Sequence, residues 1–187
     1  EVLEKELGFS FSKFKKNILV TLHSETNSQN QNIFNREFFD ALAKLDDVGI
    51  LITYPNHDAN SSSIIKEINN LSKRKPEQIV VNKSLGMLRY HSVLKIINCV
   101  VGNSSSGITE VASYGIPTVN VGNRQKGRVC SSSVIHTKYK ADEIYQCIRN
   151  SLSSGFIDSV KPIINPYGDG STALRMINIL KNTNPEN

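Results

Sequence analysis

The sequence VVGNSSSGITE, residues Val100–Glu110, decides the fold of this chain. The apolar run Cys99–Gly102 is typical of a short buried strand, and a polar turn with three serines follows it. A helix is then predicted over Gly107–Tyr114. A strand that passes through a polar turn into a helix is one half of a βαβ unit, so the segment predicts an α/β fold.

The same alternation of strand and helix continues along the chain on both sides of that segment. Further β-rich runs predict five more strands, Asn17–His23, Val48–Tyr54, Gln78–Asn82, Pro117–Val121 and Ser133–His136. Helical periodicity predicts helices over Ile33–Leu45, Ser61–Ser72, Leu85–Ile97, Ala141–Leu152 and Ser171–Lys181. We therefore expect a doubly wound, parallel, six-stranded Rossmann-like sheet, with the strand order 3-2-1-4-5-6 taken by analogy.

Length and composition indicate an ordinary globular domain. The chain has 187 residues, of which 39% are hydrophobic and 21% charged, and this length predicts about one domain. No apolar run is long enough for a membrane span, and the start, EVLEKELGFS, does not resemble a signal peptide. No histidines have the spacing of metal ligands, so no zinc site is expected.

The charge pattern favours a small anionic ligand over a nucleic acid. Lysines and arginines exceed acidic residues by 22 to 17, a net charge of +5. The densest basic clusters, at 13–16 and 73–75, are short and lack the interleaved aromatic residues of nucleic-acid binders. The cysteines Cys99, Cys130 and Cys147 form no CxxC pair, so we expect free thiols in a reducing cytoplasm.

The candidate ligand site lies where two predicted strands end. In doubly wound sheets a ligand binds beyond the carboxyl ends of the strands, where the strand order reverses. His23 ends the first strand, and the segment 103–107 follows the fourth. Serine hydroxyls, Gly107 and a helix N-terminus in that segment suit a diphosphate. The alternatives are a plain serine-capped helix and a structural histidine.

Two further charged elements belong to the same predicted site. Glu110 lies one turn into the helix, where a carboxylate suits ribose hydroxyls or stabilises the helix dipole. Arg124, Lys126 and Arg128 follow the fifth strand in a loop flanked by glycines. Such a loop suits a phosphate or carboxylate near the crevice, although it could equally be a solvated loop.

Several segments of the chain resemble one family of enzymes. The long run Gly102–Arg128, GNSSSGITEVASYGIPTVNVGNRQKGR, is similar to the signature of hydrolysing UDP-N-acetylglucosamine 2-epimerases, which act in sialic and related nonulosonic acid pathways. Shorter matches are LVTLHSET at Leu19–Thr26, TYPNHDA at Thr53–Ala59, SLGMLRY at Ser84–Tyr90 and NPYGDG at Asn165–Gly170. These matches are collinear and span nearly the whole chain.

The resemblance implies the C-terminal domain of a GT-B fold. In that reading, residues 1–10 are a linking helix, residues 11–181 the UDP-binding domain and residues 182–187 a frayed tail. The N-terminal domain, which carries most of the family's acidic catalytic residues, is absent from this sequence. The family implies UDP or a UDP-N-acetyl amino sugar as ligand, no cofactor and a possible homodimer.

The family motifs also assign individual residues. The resemblance implies that His23 is the functionally required histidine on the diphosphate and sugar side. The other residues that match nucleotide contacts are Ser104 and Ser105 for the diphosphate, Glu110 for the ribose, and Arg124, Asn56, Gly107 and the backbone near Leu85. We group Gly107 with them because a glycine lets a phosphate approach the backbone.

The implied reaction is elimination of UDP from UDP-N-acetylglucosamine, followed by addition of water to give N-acetylmannosamine. The isolated domain is expected to bind UDP without turnover. One alternative is the donor-nucleotide domain of a GT-B glycosyltransferase, because one fold hosts many functions. Another is a stand-alone interaction module that binds no nucleotide.

Overall fold

A single parallel sheet forms the centre of the molecule. The computed structural model describes residues 2–25, 30–58 and 60–183. Six strands pair in the order β3-β2-β1-β4-β5-β6, all parallel. The strands are β1 Lys16–Thr21, β2 Val48–Thr53, β3 Ile79–Asn82, β4 Cys99–Gly102, β5 Thr118–Val121 and β6 Val134–Thr137.

Helices connect the strands and cover both faces of the sheet. They are α1 Val2–Leu7, α2 Gln31–Ala43, α3 Ser61–Arg74, α4 Gly86–Leu94, α5 Ser106–Thr109, α6 Ala141–Ser151, α7 Ser154–Ser159 and α8 Thr172–Asn182, with a 3₁₀ turn at Val111–Tyr114 after α5. The predicted fold class and strand order are therefore confirmed.

Alternate residues of the central strands pack into two separate cores. In β1, Ile18 and Val20 belong to the core that α2, α3 and α6 cover, while Leu19 belongs to the core under α1 and α4. All three side chains are almost completely buried. This double coverage explains why β1 and β2 are continuous apolar runs with no polar alternation.

Three local features of the structure were not predicted from the sequence. The helix predicted over Gly107–Tyr114 breaks at Glu110, because the amide of Ser113 donates to the Glu110 carbonyl at 3.0 Å and tightens the chain into a 3₁₀ turn. Helix α7 was not predicted, since SGFIDS has no apolar period. In the predicted linker, Leu7 and Phe9 are buried in the core beneath α1.

Some predicted ranges extend beyond the described residues. Glu1 of the predicted linker, Thr26 and Ala59 of two matching segments, and residues 184–187 of the predicted tail lie outside them. Within the part of the chain that is described, no helix is both long and apolar enough to cross a lipid bilayer.

Candidate functional site

The sheet brings the ends of β1 and β4 together at the point where the strand order reverses. β1 and β4 are neighbours with Thr21 paired to Gly102. One residue further on, the buried side chain of Asn103 clamps the backbone of His23: the His23 amide donates to Asn103 Oδ1 at 2.7 Å, and Asn103 Nδ2 donates to the His23 carbonyl at 2.9 Å. The two predicted halves of the site therefore face each other.

Asn103 also anchors the loop after β5. Its carbonyl accepts hydrogen bonds from Gln125 Nε2 at 2.9 Å and Arg124 Nη1 at 3.3 Å. Its Nδ2 also donates to the hydroxyl of Tyr139 at 3.2 Å. A single buried residue, through its side-chain amide and its main-chain carbonyl, thus joins the segments that follow β1, β5 and β6, and it is assigned no role from the sequence alone.

The imidazole of His23 is held in one orientation. Its Nδ1 accepts a hydrogen bond from the amide of Asn56 at 3.2 Å, which places the proton of the neutral ring on Nε2. Burial lowers the pKa of His23 from 6.5, the positive charge of Arg124 lowers it further, and Asp58 raises it in part. At neutral pH the ring is therefore an uncharged Nε2–H donor.

A cavity of about 860 Å³ opens beside this histidine. The predicted residues in its wall are His23, Asn56, Leu85, Ser104 and Glu110. Ser106 lines it as well, with its hydroxyl in very short contact with the hydroxyl of Tyr90. The volume suits a ligand of drug or nucleotide size.

The carboxylate of Glu110 belongs to a small polar network that the sequence did not reveal. His91 Nε2 lies 3.9 Å from Glu110 Oε2, and His91 Nδ1 is hydrogen-bonded to the Tyr114 hydroxyl at 2.8 Å. Burial raises the pKa of the neighbouring Tyr90 to about 12, so its hydroxyl stays protonated. His91 is assigned no role in the site from the sequence alone. The feature of the sequence that could have indicated its place in the site is its position in the helix that follows β3, at the ligand edge of the sheet.

Three predicted site residues do not line the cavity. Ser105 lies beside Ser104 at the start of α5, outside the cavity wall. Gly107 packs against β5: a Cβ there would lie 2.9 Å from Thr118 Cγ2, and its carbonyl accepts from Thr118 Oγ1 at 2.8 Å. Close packing is therefore the structural reason for this glycine.

Arg124 is the third of these residues, and its guanidinium bonds to the Asn103 carbonyl. Its charge acts on the cavity indirectly, through the pKa of His23. The other two cations of its loop, Lys126 and Arg128, lie in the wall of a different cavity. The three cations therefore do not converge on one point as the sequence had suggested.

The described residues contain no cluster of side chains with the composition of a metal site. Among residues 2–25, 30–58 and 60–183, no three histidine, cysteine, aspartate or glutamate side chains come together as a metal site. The three cysteines are free thiols, and burial raises the pKa of Cys99 to about 12. Cys99 therefore remains a protonated core residue.

These features define a doubly wound α/β domain with a polar ligand cavity at its switch point. A profile of the UDP-N-acetylglucosamine 2-epimerase family matches residues 2–181. The chain belongs to that family.

Curated relatives cover the same region. The UDP-N-acetylglucosamine 2-epimerase of Neisseria meningitidis is 35% identical over 119 residues, which are 64% of this chain and 30% of that protein. A GDP/UDP-N,N'-diacetylbacillosamine 2-epimerase (hydrolyzing) from Campylobacter jejuni is 31% identical over 73% of this chain and 35% of its own length. The Escherichia coli polysialic acid biosynthesis protein P7 is 29% identical over 95% of this chain and 45% of its own. The chain thus spans less than half of each relative.

Solved structures agree on the fold. UDP-GlcNAc 2-epimerase from Neisseria meningitidis, bound to UDP-GlcNAc, superposes with a TM-score of 0.77 at 16% identity, covering 97% of this chain and 48% of that one. The S. aureus MnaA–UDP co-structure gives 0.72 at 17% identity, covering 97% and 47%. The predicted GT-B-type Rossmann-like domain is confirmed by this similarity.

Proposed function

We propose that this chain is the UDP-binding half of a hydrolysing UDP-N-acetylglucosamine 2-epimerase. The observation that carries the proposal is that one cavity collects a neutral histidine donor, serine hydroxyls and a carboxylate at the switch point of the sheet. A nucleoside diphosphate presents anionic oxygens and neutral ribose hydroxyls, and these need donors and an acceptor respectively. Relatives named for UDP-sugars support the choice of nucleotide.

Each group in the cavity has a proposed partner on UDP. His23 Nε2–H and the Ser104 hydroxyl bind diphosphate oxygens, and Glu110 accepts hydrogen bonds from the ribose hydroxyls. The backbone near Leu85, at the start of α4, contacts the base, and Asn56 closes the wall beside His23. Ser105, Gly107 and Arg124, which the family resemblance also assigns to the nucleotide, lie outside this cavity wall and remain predictions.

The reaction proposed for the whole protein is an elimination followed by a hydration. A base removes the proton from C2 of the sugar, the C1–O bond breaks, and the electron pair of C2–H becomes the C1=C2 bond as UDP departs. Water then adds its hydroxyl to C1, and a proton is added to C2 on the face opposite to the proton that was removed. The product is free N-acetylmannosamine. His23 would stabilise the negative charge that develops on the leaving diphosphate.

The domain boundaries and surroundings belong to the same proposal. Residues 11–181 form the nucleotide domain, residues 1–10 link it to an N-terminal domain that supplies the acidic catalytic residues, and the whole enzyme is a cytoplasmic homodimer. Free thiols and a nucleotide-sugar ligand favour the cytoplasm. The relatives named as hydrolyzing enzymes favour the hydrolysing type.

Calorimetric titration of the chain with UDP tests the binding step. We expect micromolar to millimolar affinity and no release of free sugar from UDP-GlcNAc. Ser104→Ala and Glu110→Gln should each weaken UDP binding about tenfold, because each removes a hydrogen-bonding group from a partly desolvated site. Glu143→Gln, which removes a carboxylate in the first turn of α6, is the matched control and should leave the affinity unchanged. Absence of heat and of thermal stabilisation at millimolar UDP would contradict the proposal.

The reaction type is tested with the full-length protein in ¹⁸O-labelled water. A hydrolysing epimerase incorporates one labelled oxygen at C1 of free N-acetylmannosamine and releases UDP. Formation of UDP-N-acetylmannosamine would show a non-hydrolysing enzyme, and transfer of the sugar to an added acceptor would show a glycosyltransferase.

A further inference from the structure

A second cavity, of about 830 Å³, lies beyond the ends of β5 and β6. The loop after β5, strand β6 and helix α6 form its wall, and none of its lining residues lines the cavity beside His23. Nothing in the proposed UDP site uses it. Its wall nevertheless contains buried polar atoms and charges that have no partners in the described structure.

Two buried amide groups in this wall each have an oxygen without a hydrogen-bond partner in the described part of the chain, Asn120 Oδ1 and Gln125 Oε1. The side chains are 1% and 3% exposed. The orientation of Gln125 is certain from its chemistry, since its Nε2 donates to the Asn103 carbonyl and a carbonyl can only accept. A buried acceptor without a donor is costly, so each oxygen calls for an O–H or N–H, directly or through one ordered water.

The cations in the wall also lack carboxylate partners among the described residues. Lys126, Arg128 and Lys138 pair with no carboxylate in residues 2–25, 30–58 and 60–183. The wall does contain two carboxylates, but both are paired elsewhere. Asp142 binds Lys44 at 2.5 Å, and Glu143 binds Lys140 at 2.9 Å. The cavity therefore presents uncompensated positive charge.

The imidazole of His136 completes the set. Asn120 Nδ2 lies 3.1 Å from His136 Nδ1, so Nδ1 is the acceptor and the ring proton is on Nε2. Cations and an imidazole N–H suit an anionic group, whereas the unsatisfied amide oxygens suit hydroxyls. One small molecule that carries both kinds of group would satisfy the whole wall.

We propose that this cavity is a second ligand site, for a polyhydroxylated anion such as a sugar phosphate or sugar acid. Lys126, Arg128 and Lys138 bind the anionic group, and Asn120 and Gln125 accept hydrogen bonds from hydroxyls. A volume of about 830 Å³ accommodates a monosaccharide that carries a phosphate or carboxylate. The site is separate from the proposed UDP cavity and does not depend on that assignment.

The test uses four probes on the isotopically labelled 187-residue chain: glucose 6-phosphate, gluconate, glucose and inorganic phosphate. Nuclear magnetic resonance follows the side-chain amides of Asn120 and Gln125 and the ring of His136. We expect saturable shifts with glucose 6-phosphate or gluconate at millimolar concentration, and at least about tenfold weaker binding of glucose and of inorganic phosphate. Comparing the affinities for glucose 6-phosphate and gluconate shows whether the site prefers a phosphate or a carboxylate.

A pair of double variants separates a site from general surface charge. Lys126→Met/Arg128→Met should weaken binding of the tighter probe at least about tenfold. Lys15→Met/Lys95→Met removes the same charge from exposed positions outside both cavities and should change it less than about twofold. All four side chains are exposed, so both variants should fold, which thermal unfolding verifies.

Three results would overturn the proposal. They are equal loss of binding in both double variants, equal affinity for inorganic phosphate and glucose 6-phosphate, and full displacement of the probe by saturating UDP. UDP binding measured in the same samples reports on the other cavity. Failure of this proposal and failure of the UDP proposal can therefore be distinguished.

Discussion

The two cavities at the carboxyl edge of the sheet have nearly equal volumes but differ in how completely their polar groups are paired. In the cavity beside His23, the polar groups already contact one another: His23 with Asn56, Tyr90 with Ser106, and His91 with Tyr114. In the cavity beside Gln125, two amide oxygens and three cations face no partner among residues 2–25, 30–58 and 60–183. The polar groups of the first cavity are held in place before a ligand binds, whereas those of the second would be fully paired only when a ligand is bound.

The largest expected effect comes from Gly102, the last residue of β4, which directly precedes the anchor residue Asn103. Its φ is +142°, and an added Cβ would lie 1.9 Å from the Thr21 carbonyl oxygen of the neighbouring strand. Gly102→Ala should lower the free energy of unfolding by about 3 kcal/mol, since backbone cannot yield as a side chain can. Urea denaturation of the variant and of the parent chain measures this difference in the free energy of unfolding.

The control for Gly102→Ala is Gly155→Ala in helix α7, where an added Cβ meets nothing within 4 Å. That substitution should leave stability unchanged or raise it slightly. A mild effect of Gly102→Ala would contradict the close approach of β4 to the Thr21 backbone at this strand end.

Asn103→Asp tests the residue between the cavities. Aspartate retains the acceptor for the His23 amide but replaces the donor to the His23 carbonyl with an oxygen, so two acceptors meet. We expect a loss of about 1–3 kcal/mol in unfolding free energy and weaker UDP binding, measured by denaturation and calorimetry.

Asn98→Asp is the matched control for that variant. Asn98 lies just before β4 at the opposite edge of the sheet, and its Oδ1 accepts a hydrogen bond from the Asn17 amide, a bond that aspartate preserves. Unchanged UDP affinity in Asn103→Asp would mean that the clamp on His23 is unimportant for the ligand.

A smaller effect is expected from the protonation of His23, which makes both the stability of the chain and its affinity for UDP depend on pH. Because its pKa is lowered in the folded chain, the folded state resists protonation, so stability is full above pH 6.5 and declines as the pH falls through that value. UDP should raise the pKa of His23, because an anionic diphosphate favours imidazolium, and affinity for UDP should increase as the pH falls through the same range.

Titration of the ring resonances of His23 with and without UDP measures both shifts. His23→Gln should remove this part of the pH dependence, whereas His136→Gln, in the other cavity, should retain it. A pKa of His23 that does not move with UDP would separate the histidine from the diphosphate.

The smallest effect concerns the ion pair of Lys44 and Asp142 at the rim of the second cavity. Both groups are largely exposed, so Lys44→Met should leave the melting temperature almost unchanged. The substitution also leaves Asp142 in the cavity wall without its cationic partner. The affinity for glucose 6-phosphate should therefore fall about twofold or less. Stronger binding in this variant would argue against an anionic ligand.

The sequence predicted the sheet better than it predicted the site. Continuous apolar runs such as β2 identify buried parallel strands directly, and the assumed strand order is confirmed. His23, Ser104 and Glu110 line one cavity, as expected for polar residues that follow the ends of buried strands.

What the sequence could not show is how loops and helices direct their side chains. Arg124 and Lys126 are two residues apart, yet one bonds to Asn103 while the other lines the second cavity. Gly122 and Gly127 adopt positive φ in that loop, and a chain that turns at such points breaks any simple relation between sequence spacing and direction. Asn103 looked like a turn residue, and only its contacts show that it is an anchor.

The double hydrogen bond to the Asn103 carbonyl has a thermodynamic consequence. Gln125 contributes both to the wall of the second cavity and to the anchor that fixes His23. If a sugar phosphate draws Gln125 toward itself, the histidine clamp changes with it, and the affinity for UDP changes by some factor. Linkage then requires UDP to alter the affinity for the sugar phosphate by the same factor, so one equilibrium constant would describe the cooperativity in both directions.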